Sequence, residues 1–135
     1  MAHRKGSETV IMRSLLGRAR GLGSAQSGVG HWWAQRMTAM ALVLLSVWFI
    51  FSAMHLAGQP RAVVLAWAGA PMTATLLLAL VLATFHHMQL GLQVVIEDYV
   101  HANQARLATL LVMKAVVALL AIAAVIAVLK LAFAG

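Results

Sequence analysis

Apolar residues fall along this chain in long runs rather than in a spaced stripe, and polar residues collect between the runs. A bilayer core of roughly 30 Å requires about 20 apolar residues in a helix. Three stretches meet that length: about Met37 to Leu56, about Pro71 to Val95 and about Leu107 to Leu131, each bounded by charge, Gly or Pro. Between the first two, Gly58-Gln59-Pro60-Arg61 is turn chemistry, and Ala62 to Gly69, with Trp67, reads as a short interfacial helix. Pro71 then suits the first turn of the next span. The link from roughly His101 to Ala105 is short, which makes the second and third spans antiparallel neighbours. The pattern predicts an all-α membrane protein: a basic N-terminal arm over 1–30, then three transmembrane helices within 31–135. No internal repeat is apparent, which argues against a transporter built from duplicated halves.

Composition excludes an ordinary soluble domain, because 63% of the residues are hydrophobic and 10% charged, against roughly a quarter charged in average proteins. Cysteine is absent, so disulfides, thiolate metal sites and thiol catalysis are excluded. Any metal site must use His, Met or carboxylate.

Charge sets the orientation. Arg4, Lys5, Arg13, Arg18, Arg20 and Arg36 precede the first span and Arg106 falls in the second loop on the same side, whereas the opposite loop has only Arg61. The positive-inside rule therefore places the N-terminus in the cytoplasm, or its topological equivalent, and the C-terminus across the membrane. This asymmetry accounts for most of the net charge of +7. No base-stacking or recognition motif accompanies it, so anionic lipid or a partner protein, not nucleic acid, is the expected counterpart.

The arm mixes Ile11, Met12, Leu15 and Leu16 with Arg13, Arg18 and Arg20, and Gly21, Gly23, Ser24, Ser27, Gly28 and Gly30 then read as a flexible stretch. No apolar core of adequate length marks a secretory signal. The arm fits an organelle transit peptide, but a cytoplasmic segment lying on lipid or on a soluble partner is the simpler reading. His31, Trp32, Trp33 and Arg36 follow at the lip of the first helix, where Trp anchors and Arg snorkels to headgroups. Arg36 gains a role toward an anionic cofactor group only where a cofactor is argued independently.

The second span carries the candidate chemistry: His86, His87, Gly91, Gln93 and Glu97-Asp98-Tyr99. Ionisable residues inside a transmembrane helix are functional candidates, although a neutral histidine also serves simply to bond a neighbouring helix. Adjacent residues point about 100° apart, so His86 and His87 cannot face one ligand. Gly91, four residues after His87 and on the same face, removes a side chain where a flat cofactor or another helix must come close. Haem or metal ligation by His87 and plain helix packing both remain open at this point.

At about 1.5 Å per residue, His87 lies roughly 13 to 18 Å below the exit near Asp98, and His55 lies roughly 28 Å from Arg36 at the far end of the first helix. If His87 ligates a six-coordinate haem, neither His55 nor His86 can readily be its second axial ligand in the same monomer, and that ligand should come from another chain. At the exit, a Tyr99 phenol is able to donate to a quinone carbonyl with Asp98 orienting the donor, or both are belt and end-of-helix residues.

The stretch His87 to Val100, H-x-x-x-G-x-x-x-x-x-x-D-Y-V, resembles the second helix of the small hydrophobic membrane-anchor subunit of succinate dehydrogenase, respiratory complex II. Arg18 to Leu42, RARGLGSAQSGVGHWWAQRMTAMAL, resembles the entrance to the first helix in the alphaproteobacterial branch of that family. The third helix matches only in being apolar. The resemblance implies half of a two-subunit haem-binding bundle in the bacterial inner membrane. It implies His87 as an axial ligand to haem b, the other ligand coming from a cytochrome b556-type anchor subunit. It further implies Tyr99 as the ubiquinone hydrogen-bond donor, Asp98 as its acidic neighbour, and Arg36 near the haem propionates or quinone pocket. Flavoprotein and iron-sulfur partner subunits would hold FAD and the iron-sulfur clusters and oxidise succinate; this chain would carry no succinate chemistry. No family role falls to His86, and Lys114 reads as a snorkelling or bundle-facing charge. The rivals are a fumarate reductase anchor and a cofactor-free structural or transport subunit.

Overall fold

The structure, a computed structural model, describes residues 25–134. Residues 1–24, and with them most of the predicted basic arm, lie outside the described residues. Four helices follow in order: α1 (Ala25–Leu56), α2 (Arg61–Gly69), α3 (Pro71–Tyr99) and α4 (Asn103–Ala132). Among the described residues there is no strand. α1 from Gly28, α3 and α4 are each long and apolar enough to cross a membrane. Helix is the physical answer to such a sequence, because in lipid every backbone N–H and C=O must be satisfied within its own segment.

Two departures from the sequence reading concern helix ends. α1 begins at Ala25, so Ser27, Gly28 and Gly30 lie in helix and not in a flexible stretch. A Cβ at Gly28 or Gly30 would meet nothing within 4 Å, so these glycines mark no close approach, and the helix runs on through them. Arg106 was expected in a loop, but α4 begins at Asn103 and the Arg106 amide donates to Ala102 O at 2.8 Å. Its guanidinium Nη2 donates to Asn103 Oδ1 at 3.2 Å, a bond within the first turn.

The reversal between α1 and α2 rests on Gly58, whose φ of +79° lies in the left-handed region. An L side chain there costs about 1–2 kcal/mol. The Gln59 amide closes the turn on Leu56 O at 3.0 Å. Pro71 stands at the start of α3, where its missing N–H removes no helical bond.

α3 is the middle helix. It packs against α1 on one side and α4 on the other, while α2 touches both α3 and α4. Gln35 of α1 meets His87 near the middle of α3, and nearer the start of α1 Gly28 and His31 share a cleft with Gln93 and Glu97 near the end of α3, so these helices run antiparallel. Gly69, at the end of α2, lies so close to the last turn of α4 that a Cβ would stand 3.1 Å from Ala132 O. One end of the bundle therefore gathers the start of α1, the end of α3 and the start of α4. The other gathers the end of α1, α2, the start of α3 and the end of α4. At this second end Trp67 of α2 stacks on Trp48 of α1, with centroids 5.9 Å apart and planes 21° from parallel.

The core is thin: among the described residues Ala68, Thr73, Leu77, Leu90 and Val117 are buried. Leu44, Phe51, Met54 and Leu119 stand largely exposed on the flanks. Such flanks suit lipid or further membrane helices, and in water they would form one large apolar surface.

Candidate functional site

Two polar residues of α1 meet one imidazole of α3 across the seam between these helices. His87 is half-buried, while His86, one position earlier on the helix, is exposed. Rotation of about 100° per residue produces this split. Across the seam, α1 presents Gln35 and Thr38, three residues apart and so on one face. Thr38 Oγ1 lies 3.0 Å from His87 Nδ1. Gln35 Nε2 lies 3.4 Å from His87 Nε2, a long contact.

Gly91 closes the arrangement from α3. A Cβ there would stand 3.8 Å from Gln35 Nε2, in ordinary contact with the end of a flexible side chain. What approaches Gly91 is thus a side chain and not the α1 backbone. Gln35 Oε1 is buried and has no hydrogen-bond partner. A buried amide oxygen without a partner loses water at a cost of about 1–3 kcal/mol.

The other sequence-predicted residues lie elsewhere. The Arg36 guanidinium lies over Trp32, 4.2 Å from the ring centroid, and Trp32 meets Trp33 edge to face at 5.1 Å. Asp98 is exposed and Tyr99, the last residue of α3, is 80% exposed. Tyr99 is twelve residues beyond His87, which is about 18 Å along the helix. Lys114 is exposed on α4 and so faces away from the bundle of this chain. Among the described residues no three His, Asp or Glu side chains cluster as a metal site.

A second polar feature lies toward the start of α1. Gly28 and His31 of α1 and Gln93, Val94 and Glu97 of α3 line an open cleft of about 280 Å³. His31 Nε2 is buried there without a partner, and Gln93 Nε2 donates to Glu97 Oε1 at 2.8 Å.

Sequence reasoning singled out His87 and Gly91 but missed Gln35 and Thr38. Their signal was faint: two polar residues at helical spacing, the second of them inside an apolar run.

Three long apolar helices and a histidine in the seam between two of them define a multi-pass helical membrane protein with a polar centre. The sequence profile of the succinate dehydrogenase/fumarate reductase transmembrane subunit matches residues 11–128, and the chain belongs to that family. It is 34% identical over 106 residues to the succinate dehydrogenase hydrophobic membrane anchor subunit of Rickettsia bellii, covering 78% of this chain and 85% of that protein. The protein of the same name from Rickettsia conorii is 33% identical over 98 residues, covering 72% and 78%. That of Paracoccus denitrificans is 31% identical over 90 residues, covering 67% and 70%. The resemblance to the alphaproteobacterial anchor subunit, read from the two motifs, agrees with these matches. No solved structure matches the chain.

Proposed function

We propose that this chain is the small membrane anchor of a succinate dehydrogenase, docking the flavoprotein and iron-sulfur subunits, sharing haem b with a cytochrome subunit and forming part of the ubiquinone-reduction site. The observation that carries the haem assignment is the setting of His87: a half-buried imidazole in the α1/α3 seam, in a chain of this family.

The residues present fit a haem iron. His87 Nε2 is met only by a long contact from Gln35, whose amide oxygen has no partner and whose displacement therefore sacrifices little. Gly91, one turn on, has only the end of the flexible Gln35 side chain near the place a Cβ would take, at 3.8 Å. His87 would hold the iron through Nε2, and bound haem would supply a one-electron reservoir within the membrane.

Tyr99 and Asp98 belong to a separate place at the end of α3. The Tyr99 phenol donates a hydrogen bond to a quinone carbonyl and Asp98 orients it. Its exposure leaves that face available to the soluble subunits that deliver electrons. Arg36, on the same side, supplies positive charge toward propionates or quinone, with Trp32 limiting its freedom. The basic arm faces the cytoplasm and the three helices cross the bacterial inner membrane. Succinate oxidation, with its FAD and iron-sulfur clusters, resides in the partner subunits.

The family includes fumarate reductases, but the relatives compared are named as succinate dehydrogenases. Purification through a tag on this chain tests the reading. The flavin and iron-sulfur subunits should co-purify with b-type haem, and succinate should reduce ubiquinone in the preparation. Co-purified partners without b-type haem would refute the ligand role. Preferential reaction of a low-potential quinol with fumarate would refute the direction.

A further inference from the structure

The hydroxyl of Thr38 has one proton and three neighbours. Oγ1 lies 2.7 Å from Ala34 O, 3.1 Å from Gln35 O and 3.0 Å from His87 Nδ1. The carbonyls can only accept, so the proton goes to one of them or to the imidazole. The shortest contact is the one to Ala34 O, four residues back.

Other threonines in these helices make the same bond. Thr75, Thr84 and Thr109 donate to the carbonyls of Pro71, Leu80 and Ala105 at 2.8, 2.7 and 2.8 Å. This is the ordinary back-bond of a helical threonine. Among the described residues Thr38 alone adds a side-chain nitrogen to that arrangement. With its proton on Ala34 O, Oγ1 can only accept from the imidazole, and Nδ1 must carry the hydrogen.

At the opposite edge Gln35 Nε2, 3.4 Å from His87 Nε2, is able to donate to the bare lone pair that an Nδ1–H tautomer leaves there. The reverse arrangement, Thr38 donating to Nδ1, would give up the back-bond at 2.7 Å.

We infer that Thr38 is a positioning residue for His87, accepting the Nδ1–H bond and so fixing the tautomer and ring angle that present the Nε2 lone pair to a metal. The inference rests on the haem-ligand reading of His87 and goes beyond it, because it assigns Thr38 a bond whose effect is electronic. An N–H···O bond at the far nitrogen makes an imidazole a stronger donor. Stronger donation favours ferric over ferrous iron, so this bond holds the haem potential down. Thr38 touches neither quinone nor succinate and acts only through His87.

The test uses the assembled complex with Thr38→Val, which keeps the shape and removes the acceptor, and Thr38→Ser, which keeps the hydroxyl. Redox titration of the haem and its retention on dilution are the readouts; succinate oxidation by an artificial acceptor monitors the soluble subunits. Thr38→Val should shift the haem midpoint potential upward and weaken haem retention by about 10- to 100-fold. Thr38→Ser should restore both and leave artificial-acceptor activity as in the parent. An unchanged potential and retention in Thr38→Val, in a background where His87→Ala loses the haem, would overturn the Thr38 role while the ligand reading stands. Haem unchanged in His87→Ala would overturn both. A Thr38→Ser complex that behaves like Thr38→Val would show that the hydroxyl is not the acting group. Should Thr38→Val fail to assemble, Thr38→Cys, with its weaker acceptor, should give a smaller shift of the same sign; no shift would overturn the inference.

Discussion

Gly91→Ala separates the two reasons for a glycine one turn from His87. If the residue exists to let α1 close on α3, a methyl group should push the helices apart. The distances say otherwise: the new Cβ would stand 3.8 Å from Gln35 Nε2, and no backbone atom of α1 is as near. Alanine in a helix interior is favoured over glycine by about 1 kcal/mol, because it loses less backbone freedom on folding. The haem-free anchor should therefore gain up to about 1 kcal/mol, a shift of about fivefold in its folding equilibrium. With haem bound the sign should reverse. A methyl group forced into an occupied notch costs about 1–3 kcal/mol, which would appear as lower haem content. Complex from cells unable to make haem, compared with haem-replete complex, gives both measurements: denaturant resistance in the first and pyridine haemochrome per flavin in the second. Destabilisation of the haem-free form by more than about 1 kcal/mol would refute this reasoning and return Gly91 to helix packing. Normal haem content would separate the notch from the cofactor.

Two further outcomes follow from residues away from the seam. Trp67→Ala removes the stack on Trp48 that ties α2 to α1. It should cost about 0.5–1.5 kcal/mol beyond the lost contact area, read as a lower denaturation midpoint of the anchor, with haem content retained. Tyr99→Phe deletes one hydroxyl from an 80% exposed side chain. Stability should hold while ubiquinone reduction falls more than succinate oxidation by an artificial acceptor, and equal losses in both assays would contradict the quinone role.

Much of this architecture was legible in the sequence because membrane helices are specified locally. The length of each apolar run, Pro71 at a first turn and the Gly58-Gln59-Pro60 punctuation all act within a few residues of themselves, and α2 and α3 begin where that chemistry puts them. Helix ends were less legible. Gly28 and Gly30 look like loop residues by composition, yet the helix passes through both. Arg106 looked like loop charge, yet it sits in the first turn of α4.

The site divides in the same way. The separation of His86 from His87 follows from helical rotation and the position of Gly91, which are local. The partners of His87 are not local: Thr38 and Gln35 lie 49 and 52 positions away along the chain. A threonine in an apolar run ordinarily back-bonds its own helix, as Thr75, Thr84 and Thr109 do. Nothing in the sequence marks Thr38 as the one that faces an imidazole. The exposed face of Lys114 is likewise a matter of how α4 rotates against α3, a property of packing that an apolar run leaves open.

Haem ligation by His87 is the central claim, and the most direct measurement compares His87→Ala with His86→Ala in the intact complex. Both variants remove an imidazole from adjacent positions of α3, and only His87 faces the seam. The reduced-minus-oxidised spectrum of purified complex should show b-type haem lost or disturbed in His87→Ala and unchanged in His86→Ala. A normal haem spectrum and stoichiometry in His87→Ala would contradict the account.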